Sequence, residues 1–60
     1  MNEKYHLLSV PGGFHIFIGT MAEALRDCQA RNEWQGTNHI VKSFLTREAC
    51  EKELFKKLKW

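Results

Sequence analysis

Sixty residues make one domain at most, and a chain of this length buries only about 60% of the surface it exposes when unfolded. The apolar share of 43% excludes a disordered chain, and nine Lys and Arg against seven Asp and Glu fall short of the concentrated excess of a dedicated nucleic-acid binder. No apolar run approaches the ~20 residues of a membrane span, and residues 1–20 lack the pattern of a secretory leader, so a cytoplasmic protein of a bacterium or an infected host cell is expected.

Residues 4–10, Lys4 to Val10, read as a first strand. Pro11-Gly12-Gly13 is a turn: Pro presets φ at the second turn position, and Gly takes the positive φ that a type II turn needs next. Residues 14–19, aromatic and β-branched, read as a second strand, antiparallel to the first across so short a turn. Phe14, Ile16 and Ile18 share one of its faces, His15 and Phe17 the other.

Thr20-Met21-Ala22-Glu23 is a capping box, so a helix is predicted over about 21–32. Its expected buried stripe is Met21, Ala24, Leu25 and Cys28. A loop follows over 33–38, with Trp34 in it and Gly36 as its flexible point. His39 to Phe44 is the third strand, with Ile40, Lys42 and Phe44 on one face and His39, Val41 and Ser43 on the other. Thr46 caps a second helix running toward the C-terminus. Cys50, Leu54 and Leu58 form its stripe, widened by Phe55. Glu48–Lys52 and Glu53–Lys57 are ion pairs four residues apart.

The elements run ββαβα. The expected fold is a single small α+β domain over 1–60, a three-stranded antiparallel sheet with two helices packed on one face. The other face would be wet or would carry a partner.

The order ββαβα, Tyr5 at the start of the first strand, the Thr20-led helix and the corner Lys42-Ser43-Phe44-x-Thr46-Arg47-Glu48 resemble the viroplasmin-type domain. That module occurs in caulimovirus inclusion-body protein and at the N-terminus of eukaryotic ribonuclease H, where it binds RNA–DNA hybrids. The resemblance spans roughly residues 5–55 and implies this fold, and hybrid or double-stranded RNA binding as an alternative function. Cys50 stands at the family's small helical position, and Leu54 matches the buried residue one turn later. The nucleic-acid positions match less well. The family's basic first hairpin loop is here the longer, uncharged Ser9-Val10-Pro11-Gly12-Gly13. Met21 replaces a Trp that touches DNA. Val41, Lys42 and Ser43 replace an aromatic followed by two basic residues, leaving only Lys42.

No catalytic set, metal site or cofactor is expected. His6, His15 and His39 could approach one another across neighbouring strands, but no Cys-x-x-Cys or similar ligand spacing accompanies them. They read as exposed or half-buried strand histidines. Most of the acids belong to helix surfaces, and a chain this small has little room for a concave pocket of the usual ~300 Å³ or more. Pro11-Gly12-Gly13 joins two strands instead of opening a helix, so it does not cradle phosphate. Cys28 and Cys50 lie on separate helices and read as small buried residues; a disulfide between them is not implied.

Near-neutral charge, high aromatic content and the lack of catalytic groups point to a small non-catalytic protein. It would act by occupying a surface of a larger protein partner, as inhibitors or adaptors of phages and mobile elements do, which is an analogy. Phe17, Trp34 and Trp60 are the candidate anchors. Trp34 also reads as a lid on the core, and Trp60, beside Lys56, Lys57 and Lys59, as a residue folding back. For the nucleic-acid alternative the phosphate contacts would be Lys4, Arg26, Arg31, Lys42, Lys56, Lys57 and Lys59. The hairpin edge could also add a strand from a second copy, giving a homodimer.

Overall fold

The computed structural model describes residues 3–34 and 36–58, and the expected elements follow in the expected order. Strands β1 (Tyr5–Val10) and β2 (Gly13–Ile18) form a hairpin, helix α1 spans Met21–Asn32, strand β3 spans His39–Phe44, and helix α2 spans Arg47–Leu58. Gly12 has φ +90, the conformation required after Pro11, and a side chain there would meet nothing within 4 Å. Backbone preference, not crowding, therefore selects glycine at this position. Both helix starts form as expected. The Glu23 N–H donates to the Thr20 hydroxyl (3.1 Å), the Thr20 N–H to the Glu23 carboxylate (2.8 Å), and the Ala49 N–H to the Thr46 hydroxyl (3.2 Å).

The sheet is antiparallel in the order β2-β1-β3, so β1 is central. Tyr5 pairs with Ile18 on one side and Phe44 on the other. The β1–β3 register breaks once: Leu7 faces Lys42 but Leu8 faces Ile40, so Val41 is a bulge. The extra residue resets the alternation on the N-terminal side of the break. Ile40 therefore joins Val41 and Ser43 on the His6–Leu8 face, and His39 joins Lys42 and Phe44 on the Leu7 face. The uniform alternation expected from the sequence assigned these two residues the other way round.

His6, Leu7 and Leu8 are consecutive, and all three are fully buried. Neighbouring side chains on a strand point to opposite faces, so both faces of β1 are covered. The two faces have different covers. Gly19, just before α1, accepts a bond from His6, and a Cβ on Gly19 would lie 2.9 Å from the Phe17 ring and 2.8 Å from the Glu23 carboxylate. His6 and Phe17 share a face, so α1 starts over that face. Phe14, on the opposite face with Leu7, shares a surface depression with Glu53, Lys56 and Lys57 of α2. The helices thus flank the sheet instead of lying together on one face, and the expected open face of β1 does not exist. The slim third dimension, 31 × 30 × 11 Å, matches the width of three strands about 4.8 Å apart.

The helical stripes are narrower than the sequence predicts. Ala24 and Cys28 of α1 are buried, while Met21 and Leu25 are 43% and 50% exposed. In α2 Cys50 is fully buried and Leu54 half-buried, but Phe55 and Leu58 are exposed. A three-stranded sheet is too narrow to cover the whole apolar face of a helix laid across it. Of the two expected α2 ion pairs, Glu53–Lys57 forms at 3.9 Å; Arg47–Glu51 (3.1 Å) and, on α1, Asp27–Arg31 (2.8 Å) are the others among the described residues.

Candidate interaction surface

Trp34 projects from the α1–β3 loop and is 82% exposed, so it is not the core lid that its sequence position also suggested. Its loop is nonetheless held at both ends. The Asn38 N–H and side-chain amide both donate to the Asn32 side-chain oxygen, and the Asn32 amide donates to the Asn38 carbonyl (3.2 Å). The Asn38 amide also donates to the Gly36 carbonyl (3.0 Å). Asn38 is buried, and its side-chain oxygen is the one buried side-chain N or O atom without a partner among the described residues. Trp34 N–H donates back to the Arg31 carbonyl (3.0 Å), continuing the helical turn. A large apolar side chain thus stands in solvent on a clasped loop. The loss of freedom that usually opposes binding is partly met before any partner arrives.

Phe17 is half-buried on the α1 face, its ring 6.4 Å from that of His6 and tilted by 41°. It belongs to the surroundings of a buried histidine and offers a partner only part of its ring. Trp60, the third candidate anchor, and Lys59 lie outside the described residues.

The basic candidates among the described residues do not converge. Lys4 lies before β1, and Arg26 is exposed on α1. Arg31 is engaged with Asp27 and Lys57 with Glu53, whereas Lys56 is exposed on α2. Lys42 is exposed, with its ammonium 5.6 Å from the centroid of the Phe44 ring, a cation–π distance. With the helices on opposite faces of the sheet, Arg26 and the α2 lysines fall on opposite sides of the molecule. The structure therefore gathers no single phosphate-tracking stripe from them.

Among the described residues nothing reactive stands out elsewhere. His6 is buried, against the expectation of an exposed or half-buried strand histidine; His15 is half-buried and His39 exposed. His6 faces Phe17 and His15 faces Leu8, so these histidines are not directly opposed. No group of three His, Cys, Asp or Glu side chains is placed to hold a metal among the described residues. Cys28 and Cys50 are buried free thiols, separated by the sheet, and burial pushes both above the usual thiol range. The depression beside Phe14 measures about 400 Å³, more than a chain of this length was expected to offer. Its charged lining is the Glu53–Lys57 pair and Lys56, with no nucleophile and no paired carboxylates. No helix among the described residues is long and apolar enough to cross a membrane.

Compared with known proteins, the chain matches no family model, no curated protein and no solved structure.

Proposed function

We propose that this chain is a non-catalytic binding module that docks on a larger protein through Trp34. The supporting observation is the pairing of 82% exposure at Trp34 with the Asn32–Asn38 clasp beneath it. Tryptophan is prominent among the residues that dominate protein interfaces, because it removes much apolar area from water while fixing few torsions. The partner surface that fits is an apolar pocket with a polar rim, able to take the indole ring and hydrogen-bond its N–H. The dispersed basic side chains favour this reading over a nucleic-acid one, although the viroplasmin-type resemblance and the exposed Lys42 keep hybrid binding as the alternative outcome.

The test compares the intact chain with Trp34→Ala in affinity capture from cells, followed by titration of the purified partner. Loss of at least about 2 kcal/mol of binding with an unchanged melting curve supports the docking role. A separate titration with RNA–DNA hybrid, double-stranded RNA and double-stranded DNA at physiological salt decides the alternative. Tight, hybrid-preferring binding that falls with Lys42→Ala and ignores Trp34→Ala overturns the proposal.

A further inference from the structure

Strand β2 is incompletely covered. Four of its six residues are Phe or Ile, yet none of the six is fully buried, and Ile18 is 55% exposed. Its main neighbour is β1, because both helices lean over β1 and β3. The two edges of the sheet also differ. β3 carries the Val41 bulge and the exposed Lys42, both devices that discourage edge pairing. β2 has no charged residue and no proline, and its register with β1 is unbroken.

The outward hydrogen-bonding groups of β2 follow from the ladder. Gly19 N–H donates to the Lys4 carbonyl at 2.8 Å, and this pair extends the register by one step beyond Tyr5–Ile18. Bonded and non-bonded pairs alternate along an antiparallel ladder. His6–Phe17, Leu8–His15 and Val10–Gly13 are therefore the bonded pairs. Phe14, Ile16 and Ile18 turn their N–H and C=O groups away from β1, and none of the described residues pairs with that edge.

We propose that this edge pairs antiparallel with the same edge of a second copy of the chain, about a two-fold axis at Ile16. In that register Phe14 faces Ile18 of the second copy and Ile16 faces Ile16. Every outward N–H and C=O of the three residues then finds a partner. Their side chains all lie on the α2 face, so an apolar stripe runs unbroken across the junction and Ile18 is covered by an aromatic ring. On the α1 face His15 comes opposite Phe17. The three outward-bonding positions are symmetric about Ile16 and uniformly apolar, so the strand complements itself. With no charge on the strand and a net charge of +2 per chain, repulsion between copies is small. A single strand pairing buries less than the about 1,600 Å² of a standard interface, so the dimer exchanges with monomer in a concentration-dependent way.

Sedimentation velocity of the full chain from micromolar to millimolar concentration, together with isotope-filtered NMR on a mixed labelled and unlabelled sample, tests this. The expected result is a monomer–dimer equilibrium with an intermolecular contact between the His15 and Phe17 α-protons, which are too far apart within one strand to give that signal. Ile18→Lys places a charge at an exposed edge position. It is expected to raise the dissociation constant at least about tenfold while the monomer keeps its circular dichroism and melting temperature. A chain that stays monomeric at millimolar concentration overturns the proposal and leaves the edge to a strand of another protein. A dimer that lacks the His15–Phe17 contact and ignores Ile18→Lys overturns it as well.

Discussion

His6 and Ser43 are paired across β1 and β3, and their side chains meet at 2.7 Å on the face that α1 covers. The other ring nitrogen of His6 lies 2.8 Å from the Gly19 carbonyl. A carbonyl only accepts, so Nε2 carries a proton, and in the neutral ring Nδ1 accepts from the Ser43 hydroxyl. One buried side chain thereby ties the central strand to β3 and to the corner where β2 gives way to α1.

Replacing His6 with Ala leaves two half-buried polar groups, the Ser43 hydroxyl and the Gly19 carbonyl, without their partner and opens a cavity. Urea unfolding of this variant should show a loss of about 2–4 kcal/mol, with Ser43→Ala costing about 1 kcal/mol. A His6→Ala loss within experimental error would show that the two bonds add nothing to the fold.

Asn32→Ala should unfasten the Trp34 loop, because the Asn32 side chain accepts two bonds from Asn38 and donates one to it. Stability should fall by about 1–3 kcal/mol, and limited proteolysis within 33–37 should speed up. Trp34→Ala, at an exposed position, should change stability by less than about 0.5 kcal/mol. A large stability loss from Trp34→Ala would return that residue to the core.

The capping box makes stability depend on pH. The Thr20 N–H, and then its hydroxyl contact, hold the Glu23 carboxyl below the usual range. A depressed carboxyl stabilises the fold above its unfolded pKa, and the contribution is lost as pH falls through the folded value. Glu23→Gln, which removes the titrating carboxyl, should therefore flatten the acid limb of the stability profile below the ordinary carboxylate range. Thr20→Ala keeps the backbone N–H that bonds Glu23 and should cost about 0.5–2 kcal/mol at neutral pH through the lost hydroxyl cap. Parallel acid limbs for Glu23→Gln and the intact chain would show that Glu23 is not coupled to folding.

Cys28 and Cys50 should resist alkylation at neutral pH in the native protein, since burial both shields the thiols and disfavours the thiolate. Mass spectrometry should find both modified only after unfolding. Rapid native labelling of either would place that thiol within reach of solvent.

Local interactions account for what the sequence alone determined. The Thr20–Glu23 box, the Thr46 cap and the positive φ at Gly12 each involve residues at most three apart, so the starts of both helices and the hairpin turn were legible directly. Periodicity located Ala24, Cys28 and Cys50 in the core, but it could not set how much of each helix the sheet would cover. Only the tertiary structure decided the rest. Helices that share a sequence pattern can lie on one face of a sheet or on both, and burial on both sides of β1 selects the second arrangement. The Val41 bulge depends on how β3 meets β1, and His6 is buried by groups 13 and 37 residues away. The exposure of Trp34 likewise depends on where the Asn32–Asn38 clasp holds its loop. Contacts over such separations have no local signature, because they form only when the whole sheet is assembled.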